Sequence, residues 1–245
     1  MNLQICMPYQ KCIYDCKFCI AKGHNHEYQF ENLYQTDKDL YLARLKQQVQ
    51  LMSMLSVHVP DRLRSVIITG EADPSQNMEW VYDVIKTIRP LAKRGRFNIE
   101  IQTRNHRIVF PNKKVRPDVI ALSVSSMAEF NKAILLKELY PDVIIRPVVI
   151  LNKKLNNMIK YLDLTPYQQV TFKELQYGED PNVNDWIQEN EFKGRDDLKN
   201  LIFTFKKDCS IVHDYDCQNA KARYRIYRSD AEIYYDWEQL PRERK

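Results

Sequence analysis

Residues 65–94 read SVIITGEADPSQNMEWVYDVIKTIRPLAKR. The run SVIIT at 65–69 is apolar almost throughout and β-branched. NMEWVYDVIKTIRPLAKR at 77–94 repeats its apolar positions at helical spacing. Between them TGEADPSQN is rich in turn and capping residues. A strand that is apolar on both faces needs cover on both, so strand, turn and helix together predict a parallel strand covered by helices.

The same alternation extends outward. Upstream lie the strand-like LQICM at 3–7 and the helical DKDLYLARLKQQVQLMSML at 37–55. Downstream, strands are expected over 97–103 (FNIEIQT), 119–124 (VIALSV), 143–151 (VIIRPVVIL) and 170–175 (VTFKEL). Helices are expected over 128–139 (AEFNKAILLKEL) and 156–164 (NNMIKYLDL). Six strands in about 175 residues predict an α/β fold, an open or partial (β/α)6 TIM-like barrel, with a doubly wound open sheet as the alternative. Either architecture puts its site in the loops at the carboxyl ends of the strands.

Beyond residue 180 the rhythm changes. A helix is expected over 195–207 (RDDLKNLIFTFKK), then two strands around a turn at Ser229-Asp230 within ARYRIYRSDAEIYYDWE. Residues 1–180 are read as the core barrel, and 181–245 as a C-terminal helix and β-hairpin elaboration of the same domain. A hairpin region of about 35 residues cannot bury a core of its own. No internal repeat or low-complexity linker interrupts the chain.

Of 245 residues, 37 are basic and 32 acidic, for a formal charge of +5. That balance permits a nucleic-acid or phosphorylated partner without arguing for one. No apolar run reaches about 18 residues, and the first residues lack a basic-then-apolar leader, so neither a membrane span nor a signal peptide is expected. The expected compartment is the reducing cytoplasm, where clustered cysteines are more often metal ligands than disulfides.

Three of the six cysteines fall in QKCIYDCKFCIAKGHNH at 10–26: Cys12, Cys16 and Cys19, spaced C-x3-C-x2-C. Three thiolates on one loop can converge on a soft metal but are one short of a four-ligand site. A zinc site would need His24 or His26 as the fourth ligand. An iron-sulfur cluster with three protein ligands would leave one iron open, as catalytic metal sites do.

With Phe18 just before the third cysteine, the motif reads CxxxCxφC, φ being aromatic. It stands after the first strand of a repeating βα pattern. It resembles the defining motif of the radical S-adenosylmethionine (radical SAM) superfamily, over about residues 3 to 175. The resemblance implies that Cys12, Cys16 and Cys19 hold a 4Fe-4S cluster whose open iron is chelated by the amine and carboxylate of SAM, with Phe18 near the adenine. It implies that the turn after the second strand meets the SAM amino group through Gly70, with Glu71 or Asp73 as the acid. The register that aligns Pro74 favours Asp73. It further implies that Ser123 or Ser125 contacts the ribose, that Arg146 meets the SAM carboxylate, and that Val148 and Val149 lie near the adenine. A flavodoxin- or ferredoxin-like donor would supply the electron, and a 5'-deoxyadenosyl radical would abstract hydrogen from the substrate.

Each of these residues also has an ordinary use. The turn at 70–77 is a helix cap by composition, the serines are caps too, and Arg146 could face a carboxylate in the core. Lys173 and Glu174 are a lumen candidate or a salt bridge. Cys6 reads as a core residue, and Cys209 and Cys217 are too few for an auxiliary cluster. His213 has no evident role. The interleaved Arg and Tyr of the hairpin could stack bases, or could be an ordinary exposed hairpin. The substrate expected is a small molecule, a nucleotide or a nucleic-acid base. The alternatives are a glycyl-radical-enzyme activase, or a non-catalytic iron-sulfur or zinc protein that senses redox state or carries electrons.

Overall fold

A computed structural model of the chain describes residues 1–14, 16, 19, 27–55, 63–150, 162–164, 166–173, 224–237 and 239–241. These fall in two compact units, the first made of Met1–Gln102, Ile108–Asp118 and Lys221–Lys245, the second of Thr103–Arg107 and Val119–Ala220. Both are α/β with strands that pair in parallel.

In the first unit, β1 (Asn2–Cys6) pairs with β2 (Ser65–Thr69), and β2 with β3 (Asn98–Thr103). Helices α1 (Leu33–Thr36) and α2 (Lys38–Leu55) follow β1, and α3 (Met78–Gly95) follows β2. The helical periodicity has a direct structural meaning. Tyr41, Leu45, Val49 and Met52 line one face of α2, and Val81, Val84, Ile85, Ile88 and Leu91 one face of α3, all buried with Leu3, Ile5, Val66 and Ile68 of the strands. Asn77 caps α3, its side chain accepting from Trp80 N at 3.2 Å. The helix ends with Arg96 in the left-handed region, φ 51°.

Strand β7 (Tyr224–Tyr227) returns to pair in parallel with β1, Asn2 opposite Tyr224, and then turns into β8 (Ile233–Tyr234), its antiparallel partner. The expected C-terminal hairpin is present. Its parallel seat beside β1 was not foreseen, because nothing local in YRIY names the strand it joins. Ala231 N donates to Arg228 O at 3.0 Å and Ala231 itself has φ 62°. It fills the left-handed position of the turn, where glycine is usual.

In the second unit, β4 (Val119–Val124) pairs with β5 (Ile144–Ile150), and β5 with β6 (Thr171–Lys173). Helix α4 (Met127–Leu139) buries Phe130, Ala133 and Leu136, and Tyr167 packs edge-on to Phe130 with ring centroids 5.3 Å apart. Pro147 sits inside β5 opposite Leu122, while pairing with β6 begins only at Val148. The strand therefore has one partner at the proline, and the missing N–H breaks no second ladder.

Strands β1-β2-β3 and β4-β5-β6 neighbour one another in chain order, and β7 departs from that order by lying beside β1. The helix expected over 195–207 lies outside the described residues, as does most of that over 156–164. The described end of the latter, Leu162–Leu164, is not helical. Among the described residues no helix is long and apolar enough to cross a membrane.

Candidate functional site

The cysteine loop begins where β1 ends. Met7 N donates to Thr69 O at 2.8 Å, carrying the β1–β2 ladder one residue past Cys6. At this point Gly70 is required for close approach. A Cβ there would lie 3.0 Å from Met7 N and 3.2 Å from Met7 Cβ. Gly70→Ala is expected to cost about 1–3 kcal/mol, because two backbone segments would have to part. A urea midpoint within error of wild type would show that the strands give way freely.

Cys12, Cys16 and Cys19 follow as half-buried thiols, none of them in a disulfide. Cys16 N donates to Tyr14 O at 2.9 Å and Cys19 N to Cys16 O at 3.2 Å. Reduced, accessible sulfur donors suit a soft metal centre. Among the described residues, however, no three His, Cys, Asp or Glu side chains are gathered as metal ligands. Metal binding and the ordering of its ligands are coupled. Phe18, His24 and His26 lie outside the described residues, as do Glu174, Cys209, His213 and Cys217.

The connection after β2 meets this loop. Asp73, 8% exposed, accepts from Ser75 N through Oδ1 at 2.9 Å and caps the 3-10 turn Pro74–Gln76. The capping use read from DPSQN is therefore realised in Asp73. From that turn the Gln76 carboxamide reaches back, donating to Lys11 O at 3.0 Å and accepting from Ile13 N at 3.0 Å. Glu71, the other acidic candidate, is half-buried, and its Oε2 accepts from Glu27 N at 2.8 Å. Both acids thus have structural partners, and Glu71 holds the residue at which the described chain resumes after the cysteines.

Glu27 is itself fully buried. Its Oε2 accepts from Arg228 Nη1 at 2.6 Å and its Oε1 from Ser229 N at 3.2 Å, and both ion-pair partners are 0% exposed. The guanidinium also donates to Trp237 O at 2.6 Å and lies over the Phe30 ring, 4.4 Å from its centroid. Burial pushes the Glu27 carboxyl up, with Arg228 and Ser229 pulling back. Burial, with Glu27 acting the same way, keeps the Cys6 thiol well above its usual range, so Cys6 remains a protonated core residue.

The hairpin's aromatic and basic residues serve this packing. Tyr227, Arg228 and Tyr234 are buried, and Tyr227 OH donates to Tyr41 O at 2.8 Å. The picture of an ordinary exposed hairpin is therefore corrected for these three. A base-stacking use of the same three would compete with their burial. Tyr235 remains at the surface under Arg225, 4.3 Å from its ring centroid.

In the second unit, the register sets Ser123 opposite Val148 and Ala121 opposite Arg146. Alternation along the strands then places Ser123, Arg146 and Val148 on one face, all half-buried. Val149 points the other way into the core at 0% exposure, so it and Val148 serve different faces. Lys173 closes β6.

Ser125 is committed elsewhere. Its N and Oγ donate to Glu129 Oε2 at 2.6 and 2.8 Å, and its Oγ accepts from Arg104 Nη2 at 2.9 Å. Arg104 is ion-paired with Glu129 Oε1 at 2.7 Å. The structure therefore separates the two serines, leaving Ser123 as the one on the Arg146 face. Nearby, neither ring nitrogen of His106 has a hydrogen-bond partner among the described residues. Burial lowers the His106 pKa and favours a neutral imidazole.

Burial pushes the Glu129 carboxyl up, but the Arg104 and Ser125 hydrogen bonds outweigh it and hold the pKa below the usual value. A depressed folded pKa stabilises above the unfolded pKa, about 4.3, and that contribution is lost as pH falls through the folded value. Glu129→Gln is accordingly expected to cost about 1–2 kcal/mol at pH 7 and to flatten the decline in unfolding free energy between roughly pH 5 and 3. Denaturant titrations across that range check both effects.

The residues that sequence reasoning missed are Gln76, Glu27, Arg228, Arg104 and Glu129. Gln76 could have been found, since it lies in the turn already singled out. Glu27 and Arg228 stand 201 positions apart and carry no shared local signal. The sequence matches no protein-family model and none of the curated proteins compared with it, so what this site does has to be argued from its own residues.

Proposed function

We propose that this chain is a radical SAM enzyme on a partial (β/α)6 TIM-like barrel, with a 4Fe-4S cluster held by Cys12, Cys16 and Cys19. The observation that carries it is three half-buried thiols outside any disulfide in the connection after β1, with the backbone around Cys12 held by the turn that follows β2. The chain-order pairing of β1-β2-β3 and of β4-β5-β6 supports barrel-type winding.

What the cluster supplies when bound is one-electron cleavage of SAM to methionine and a 5'-deoxyadenosyl radical, the electron coming from a flavodoxin- or ferredoxin-like donor. The chain's own residues bind and orient. By the resemblance, Gly70 backbone would serve the SAM amine, Arg146 its carboxylate, Ser123 the ribose, and Phe18 and Val148 the adenine. Exclusion of water from that site would protect a reactive carbon radical. The substrate is a small molecule, a nucleotide or a base within a nucleic acid.

The test is anaerobic reconstitution with iron and sulfide, then dithionite and SAM. Formation of 5'-deoxyadenosine is expected. A loaded chain that yields none would leave a redox or electron-transfer role, and about one zinc per chain with no iron would indicate a structural site instead.

A further inference from the structure

We propose that Gln76 is the positioning residue that sets the backbone around Cys12 for metal binding, an inference that rests on the metal-site reading of the three thiols. Its carboxamide donates to Lys11 O and accepts from Ile13 N, each at 3.0 Å, so the two bonds bracket Cys12 on either side. A residue on a neighbouring parallel strand bonds in this way, to the carbonyl before and the N–H after the residue it faces. A carboxamide is the neutral side chain that presents donor and acceptor in one planar group. The partners also settle its orientation, since a carbonyl needs the NH2 end and an N–H needs the oxygen.

The clamp stands on a rigid base. Asp73 caps the turn at Ser75 N, Pro74 sits in its first residues with a fixed φ, and Gln76 N donates to Asp73 O at 3.0 Å. Asn77 N donates to Pro74 O at 3.1 Å, and the Asn77 side chain caps α3, so the turn is continuous with that helix. The same connection, through Glu71, holds Glu27 N at 2.8 Å. One βα connection thus fixes the cysteine segment at its start and at its far end. Asp73 and Glu71, expected from resemblance to meet SAM, contribute by framing the segment that carries the thiols.

The experiment compares the full-length wild type with Gln76→Ala and Gln76→Glu. One readout is the rate of Cys12 alkylation by iodoacetamide in the metal-free chain, mapped by mass spectrometry with buried Cys6 as the internal control. The other is iron per chain after anaerobic reconstitution. Gln76→Ala is expected to raise Cys12 alkylation and lower iron content, each by about 3- to 10-fold, with Cys6 still protected. Gln76→Glu keeps the acceptor for Ile13 N but sets a carboxylate against Lys11 O, so it is expected not to restore wild-type loading.

Equal alkylation and equal loading in Gln76→Ala and wild type would overturn the clamp and leave the metal site standing. A rise in Cys6 alkylation alongside Cys12 would mean general opening and would overturn the local role. A wild type that takes up no iron would overturn the metal reading, and with it the purpose assigned to Gln76.

Discussion

Arg228→Met is expected to lower the unfolding free energy by about 3–5 kcal/mol, which would leave many domains of this size partly unfolded at 37 °C. The reason is the state in which it leaves Glu27. Both partners are 0% exposed, and with the guanidinium gone the carboxylate loses its cationic partner and retains the Ser229 N–H. A buried charge in that position must be taken protonated or solvated at the expense of packing. The cation-π contacts to Phe30 and Trp237, at 4.4 and 5.3 Å, are lost as well. The double variant Glu27→Gln, Arg228→Met removes both charges and is expected to recover more than half of the loss. Urea titrations at pH 7 check both variants. A single-variant loss below about 1 kcal/mol would mean that the pair acts like a surface salt bridge.

Replacing any one of Cys12, Cys16 and Cys19 with alanine is expected to lower iron and sulfide after reconstitution by more than about tenfold, and 5'-deoxyadenosine formation with it. Removing even the outer partners of metal ligands costs 10–100-fold, and a lost ligand costs at least as much. The thiols are half-buried and none is in a disulfide, so unfolding midpoints are expected to stay near wild type. That separation of metal loss from stability loss distinguishes ligands from core residues. Cys6→Ala is expected to show the opposite pattern, with normal iron and a modest loss of stability from the vacated volume at a fully buried site. Iron retained in full by one of the three alanine variants would remove that cysteine from the ligand set.

Much of the local structure was legible. SVIIT is β2 at Ser65–Thr69, residue for residue, and VIALSV is β4 at Val119–Val124. Both are runs whose two faces are covered, which leaves an unmistakable pattern. Helix α3 begins at Met78 behind the expected cap, since Asx capping is a local hydrogen bond written in neighbouring residues. The candidate site was less legible. Of the two serines offered by alternation, Ser125 is taken by Glu129 and Arg104, and neither the carboxylate nor the guanidinium is named by the run ALSVSS.

What the sequence by itself determined is the order of the strands and of α2, α3 and α4 among the described residues, the α/β class of the fold, and a loop with three thiols at the carboxyl end of the first strand. Those follow from periodicity, capping and spacing, which act over a few residues. Only the tertiary structure decided that β7 pairs with β1, that Arg228 enters the core to meet Glu27, that Glu71 accepts from Glu27 N, and that Gln76 brackets Cys12. Each of these joins groups far apart in the chain, and a buried polar group's partner is set by which segments the fold brings within about 3 Å, a quantity no local pattern encodes.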